Sequence, residues 1–91
     1  MDSILQTERE CYITGSTEGL HLHHIYGGAN RKNSDRYGCV VWLRADWHNM
    51  SDYGVHFNKD LDRRLKEECQ EEFEKRWGHD KFMSVFGRNY L

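Results

Sequence analysis

The chain has 91 residues, which suffice for one domain and are too few for two, and its 37% hydrophobic content with 13% aromatic residues is typical of a globular core. No segment approaches the roughly 18 to 20 apolar residues that a membrane span requires, and residues 1–10 are acidic and polar rather than signal-like. We therefore expect a single intracellular, cytoplasmic domain, residues 1–91, without a membrane partner. The odd number of cysteines favours free thiols or ligands over disulfides.

The charge balance is slightly acidic, with 13 Lys and Arg against 15 Asp and Glu, a net charge of −2. This balance does not favour a nucleic-acid-binding surface spread over the whole domain, because neutralising several phosphates usually takes surplus bases. Residues 21–48, however, carry four bases and two acids. The weakly basic part of the sequence thus coincides with the histidine-rich part.

The first half of the chain predicts two antiparallel strands. Residues 20–26 alternate apolar and imidazole side chains, and residues 39–43 are a β-branched and aromatic run. Between them, residues 27–38 are polar and start with two glycines, which predicts a long functional loop.

The second half predicts helices. Asp46 is expected to cap a short helix containing residues 47–50, which Gly54 would end. Apolar residues at a spacing of four predict a long helix over residues 58–77 with Asn58 as a cap. Residues 79–91 supply a second short apolar face that would cover the far end of that helix. The expected class is α+β, with a core in residues 11–57.

Four of the six histidines lie in two patches, around His23 and around His48. Neighbouring side chains on a strand point to opposite faces, so His23 and His24 converge on one site only if the strand ends there. One arrangement that meets this condition places His23 and His48 on a metal ion and leaves His24 beside it to take a proton from water. The alternative is a pair of exposed strand histidines.

Other residues are candidates for a supporting role at this site, as further metal ligands or as groups that orient the ligands: His21, Asn49, His56 and Cys11. His21 shares a strand face with His23, but a surface histidine is the simpler interpretation. For His56, joining the site and merely orienting it are equally compatible with the sequence.

The order of these features resembles the HNH endonucleases of the ββα-metal fold, especially small phage-borne members. The resemblance covers residues 11–57: a knuckle beginning at Cys11, the strand end His23-His24-Ile25, the Gly27-Gly28 pair, a second apolar strand, and a helix with His48-Asn49. It implies that His23 and His48 are metal ligands and that His24 is the catalytic general base. The implied cofactor is a divalent metal ion, usually Mg²⁺, although imidazoles also suit Zn²⁺, Mn²⁺ or Ni²⁺.

The chain departs from the family pattern in two places. Relatives with a structural zinc ion carry two Cys-x-x-Cys pairs, whereas this chain has Cys11-x-x-Thr14 and Arg44-x-x-Trp47. Three of the four thiolates are missing, so no such zinc is expected. The family also has a central Asn, whose position in this chain would be near Cys39. No Asn is found there, and Asn49 is the next residue along the chain with a side-chain amide.

Two functions of different classes follow from this pattern. The first is a phage-encoded, metal-dependent endonuclease acting on DNA in the host cell, with Arg31, Lys32 and Arg36 contacting phosphates. The second is a non-catalytic metalloprotein of the same fold that inhibits a bacterial defence nuclease, as anti-CRISPR proteins do, through its acidic long helix. A nuclease needs His24 unligated and accessible to water, whereas an inhibitor needs only a rigid charged surface.

Overall fold

A computed structural model describes residues 2–91, so only Met1 of the predicted domain lies outside it. The fold is a compact mixture of a two-stranded antiparallel hairpin and four helices, with a radius of gyration of 12.6 Å. The elements in chain order are β1 (Leu20–His24), α1 (Arg31–Tyr37), β2 (Val40–Arg44), α2 (Ala45–His48), α3 (Lys59–Trp77) and α4 (His79–Phe86). Single 3₁₀ turns, Gly28–Asn30 and Val55–Phe57, precede α1 and α3. Every helix in residues 2–91 is too short or too polar to span a membrane.

The hairpin pairs β1 with β2 in the predicted antiparallel sense. His23 lies opposite Val41, and His24 lies opposite Val40. Directly paired residues project to the same face of an antiparallel pair, so His23 shares the face of the fully buried Val41, and His24 points to the other face. β1 ends at His24, two residues earlier than predicted, and β2 is shifted by one residue toward the C-terminus.

The core is formed by one face of the hairpin, the middle of α3 and the inner side of α4. Leu65, Cys69 and Phe73 of α3 are at most 1% exposed, and the ring of Phe73 contacts that of Phe82 in α4 at 5.4 Å between centroids. The predicted terminal cover is therefore present. Asn58 caps α3 as predicted, because its side chain accepts a hydrogen bond from the backbone N–H of Leu61 at 3.1 Å. All three cysteines are buried free thiols.

The prediction of a loop over residues 27–38 was wrong, because most of this segment is the 3₁₀ turn and α1. The helix has no apolar stripe and buries only Ser34, so hydrophobic periodicity could not reveal it. Polar contacts help to hold it: Asn30 and Asn33 donate side-chain hydrogen bonds to the carbonyl oxygens of Phe86 and Val85, each at 3.2 Å. At its end, the ring of Tyr37 contacts that of Phe73 at 5.4 Å between centroids. Gly38 ends the helix in the left-handed conformation, with φ at 72°.

The predicted cap of the short helix was also wrong. α2 begins one residue before Asp46, with Arg44 in the capping position. The Asp46 carboxylate instead accepts hydrogen bonds from the guanidinium of Arg44 at 2.6 and 2.8 Å and from the hydroxyl of Tyr53 at 2.7 Å. The bonds from Arg44 and Tyr53 hold the pKa of this carboxyl well below its usual range. Asp46 thus ties the loop after α2 to the end of β2.

Candidate metal centre and adjoining cleft

Three histidines from separate elements converge on one point. Ring nitrogens of His23, His48 and His56 all lie within 4.8 Å of one another, an arrangement that could hold a metal ion. The Nε2 atoms of His48 and His56 are 2.9 Å apart. The ring of His23 meets those of His48 and His56 at centroid distances of 5.3 and 5.4 Å.

The backbone explains how these side chains meet. His23 projects from the core-facing side of β1, His48 is the last residue of α2, and His56 lies in the 3₁₀ turn before α3. Gly54 makes the return of the chain possible, because a Cβ atom at this position would lie 2.9 Å from the carbonyl oxygens of Asp46 and His48. Because Gly54 has no side chain, the backbone at this residue packs closely against the end of α2. This close approach places His56 beside His48.

His23 is the member of this group whose environment most favours a ligand. The side chain is 5% exposed, and its Nε2 atom has no hydrogen-bond partner within residues 2–91. A buried polar atom without a partner is costly, roughly 1 to 3 kcal/mol. Burial first, then the neighbouring His48 and His56, lowers the pKa of His23 to about 3. The ring is therefore neutral at pH 7, with a lone pair that a metal ion could satisfy.

His48 is similarly neutral, and both of its ring nitrogens have close neighbours. Burial, followed by the nearby His56 and His21, lowers the pKa of His48 to about 4. Its Nδ1 atom is 3.0 Å from Nδ1 of His21, on the side of the ring away from the contact with His56. His21 lies outside the convergent group of three and touches it through His48.

His24 leaves the opposite face of β1 from His23, yet the two side chains line the same cleft, because β1 ends at His24. The cleft has a volume of about 380 Å³ and also includes Gly27, His56 and Lys59. The His24 side chain is 13% exposed, and its Nε2 atom is 2.6 Å from the carboxylate of Asp35 in α1. His24 is not one of the three convergent histidines.

The remaining predicted residues are not members of the convergent histidine group. Cys11 is buried in the hydrophobic core, and Asn49 is exposed at the end of α2. Arg31, Lys32 and Arg36 are exposed on α1, which begins three residues after the Gly27-Gly28 edge of the cleft.

The sequence did not identify Asp35 as a residue of the site, and it did not decide whether His56 joins the site or only orients it. Asp35 is 11 residues from His24 in a segment predicted as loop, so no spacing rule connected them. Recognising Ser34 as the buried side of a helix would have placed Asp35 on its outer surface. His56 carried a weak signal, namely a histidine two residues after a glycine at the end of a predicted helix.

No protein-family model, curated protein or solved structure matches this chain.

Proposed function

We propose that this chain is a metal-dependent HNH-type endonuclease that hydrolyses phosphodiester bonds in DNA, with β1, β2 and α2 forming a ββα-metal core. The observation that carries the proposal is the buried, unpartnered Nε2 atom of His23, which lies beside His48 and His56 at the edge of a cleft that also contains His24. Such a combination supplies both a metal centre and a separate base.

The residues present fit a metal ion of the borderline class. His23, His48 and His56 would hold it through three neutral imidazole nitrogens, a donor set that suits Zn²⁺ or Ni²⁺ better than Mg²⁺, which prefers oxygen ligands. Three protein ligands are also typical of catalytic rather than structural zinc sites. When bound, the metal ion supplies electrostatic stabilisation of the charge that develops on a phosphate group.

His24 takes the part of the general base. Its ring lies in the cleft but outside the ligand group, so one ring nitrogen is available to accept a proton from the attacking water. Its side chain retains 13% exposure, which leaves the ring within reach of water. A base that lies beside the metal ion and does not bind it can activate the water that attacks a phosphodiester.

The basic side chains of α1 support a polyanionic substrate. Arg31, Lys32 and Arg36 form no ion pairs within residues 2–91, so their charges are available for phosphates. Lys59 adds another cation to the cleft itself. Several acids of α3 pair with bases of the same helix, for example Asp62 with Lys66 at 2.8 Å, which reduces the effect of the net negative charge.

The inhibitor hypothesis remains a prediction that the geometry does not favour. A non-catalytic metalloprotein would use the three convergent histidines, but it would leave His24 and the cleft beside them without a role. The pairing of acids and bases along α3 also gives that helix less uncompensated charge than its sequence suggests.

A plasmid-nicking assay tests the proposal. Supercoiled DNA is incubated with the metal-free chain after addition of Zn²⁺, Ni²⁺, Mn²⁺ or Mg²⁺, beside the variants His24→Ala and His23→Ala. The matched control is His79→Ala, since His79 is an exposed histidine that pairs with Glu74 outside the cleft.

We expect metal-dependent nicking that both cleft variants lose and the control retains. His24→Ala should still bind the metal, whereas His23→Ala should bind it poorly. A general base typically contributes about 10²- to 10⁴-fold to the rate, which sets the expected loss in His24→Ala. Tight metal binding without cleavage under any of the four ions would overturn the nuclease proposal in favour of the inhibitor.

A further inference from the structure

The carboxylate of Asp35 lies 2.6 Å from Nε2 of His24, and the function proposed above leaves that contact without a role. We propose that Asp35 is a positioning residue that holds His24 in the tautomer protonated at Nε2. The catalytic importance of this role rests on the proposed function. The effect of the hydrogen bond on the tautomer of His24, however, can be measured without any substrate.

The chemistry of the pair determines which nitrogen carries the proton. A neutral imidazole has one N–H and one lone pair, and an ionised carboxylate only accepts hydrogen bonds. In the pair with Asp35, Nε2 of His24 therefore donates, and the lone pair of the ring is on Nδ1. Nδ1 becomes the atom that can accept a proton from water, while the opposite side of the ring is anchored.

The element that carries Asp35 is fixed close to β1. The preceding residue, Ser34, is fully buried, and its hydroxyl donates to the carbonyl oxygen of Tyr26 at 2.7 Å and accepts from the Tyr26 N–H at 3.1 Å. These two bonds attach α1 to the chain two residues after His24. Asp35 thus acts from a helix with a defined position, which is the usual requirement for orienting a reactive side chain.

The competing interpretation is an incidental surface pair. The Asp35 side chain is 44% exposed, and exposed ion pairs contribute little to stability, typically 0 to about 1 kcal/mol. In an incidental pair the carboxylate would not decide which ring nitrogen of His24 is protonated, so the tautomers would be the same with and without Asp35. The two interpretations therefore differ in a property of one imidazole ring.

The test is nitrogen-15 NMR of the imidazole rings in the complete chain, metal-free and with Zn²⁺, combined with plasmid-cleavage kinetics. The variants are Asp35→Ala, which removes the acceptor, and Asp35→Asn, whose amide oxygen can still accept from Nε2. Glu71→Ala is the matched control, because Glu71 is an exposed carboxylate of α3 that does not line the cleft.

In the wild type and the control we expect the neutral form of the His24 ring to carry its proton on Nε2. Asp35→Ala should show a mixture of both tautomers, and Asp35→Asn should largely restore the wild-type pattern. In the kinetics, Asp35→Ala should lower kcat by about tenfold to a hundredfold with KM little changed, a part of what a general base contributes.

A wild-type ring protonated at Nδ1 or present as a mixture of tautomers, or an unchanged tautomer in folded Asp35→Ala, would overturn the role of Asp35. The first of these results does not depend on any variant and holds even if Asp35→Ala fails to fold. An Asp35-dependent tautomer in a chain that cleaves no DNA would support the positioning role while the nuclease proposal fails, so the two failures are distinguishable.

Discussion

The Nδ1 atoms of His21 and His48 lie 3.0 Å apart, so one of the two rings donates a hydrogen bond from its Nδ1–H and the other accepts that bond at Nδ1. The rings meet edge to face, with centroids 5.2 Å apart. When the proton is on His48, the Nε2 atom of that ring keeps its lone pair on the side facing His56. His21 is thereby placed to select the tautomer of His48 that can bind a metal ion.

We expect His21→Ala to weaken metal binding by about 10- to 100-fold, as is usual when a partner that orients a ligand is removed. Competition with a chromophoric chelator would measure the affinity for Zn²⁺, with His79→Ala as the control. An affinity within twofold of the wild type would contradict an orienting role for His21.

Zinc should stabilise the folded chain through His23. At a free Zn²⁺ concentration of about 100 times Kd, binding adds about 2.7 kcal/mol to the free energy of unfolding. For a domain of this size that corresponds to a rise in Tm of about 10 to 20 °C. The measurement is thermal unfolding in a chelator and then in zinc.

His23→Leu is the informative variant in the same experiment. In the chelator it should be more stable than the wild type, since it lacks the buried nitrogen without a partner, which costs about 1 to 3 kcal/mol. In zinc it should gain little. An equal rise in Tm for both proteins would place the ion elsewhere.

The metal-free chain should lose stability in mild acid. Above the ordinary histidine pKa of 6.5, His23 is neutral in both the folded and the unfolded state. As the pH falls below 6.5, the unfolded chain takes up a proton that folded His23 refuses until about pH 3, so the free energy of unfolding decreases. His48, whose pKa is lowered to about 4, also decreases the free energy of unfolding as the pH falls from 6.5 toward 4. Its effect is smaller because the side chain is partly exposed.

The slope expected from His23 alone is about 1.4 kcal/mol per pH unit. Urea unfolding between pH 7 and pH 4.5 in a chelator would measure it, and His23→Leu should show a shallower dependence. Equal slopes for the two proteins would mean that His23 takes up its proton at the same pH in the folded and the unfolded chain.

Gly54→Ala tests the close approach that brings His56 to the site. The added Cβ would lie 2.9 Å from two carbonyl oxygens of α2, although the φ angle of −65° suits any residue. We expect a loss of about 1 to 3 kcal/mol, typical of overpacking, together with weaker Zn²⁺ binding. Gly27→Ala is the matched control, because a Cβ at Gly27 meets no atom within 4 Å. Equal stability and affinity in the two variants would show that the approach is unimportant.

The sequence predicted the parts of the fold that depend on apolar patterns. Alternation identified the hairpin, and the spacing of four together with Asn58 located α3 to within one residue. The sequence also predicted that His23 and His48 lie close together. His23 is on β1 and His48 is on α2, which directly follows the paired strand β2, and such elements are neighbours in a hairpin. These features are local or repeat regularly, so one chain suffices to recognise them.

The remaining parts depend on contacts between distant polar groups. α1 buries one serine and is held by backbone carbonyls near residue 85, which no periodicity encodes. The pairing of His24 with Asp35 follows only once that helix is placed. His56 meets His48 across eight residues because Gly54 permits a backbone approach, and the sequence alone does not show how closely two segments pack.

The hydrogen bonds from Asn30 and Asn33 to the end of α4 affect when the protein can acquire its proposed activity. During synthesis, β1, α2 and their histidines leave the ribosome well before residues 85 and 86. Until those residues emerge, α1 lacks the hydrogen bonds of Asn30 and Asn33, although Ser34 already attaches it to the chain beside β1. We therefore expect α1 to reach its final position only after α4 has been synthesised.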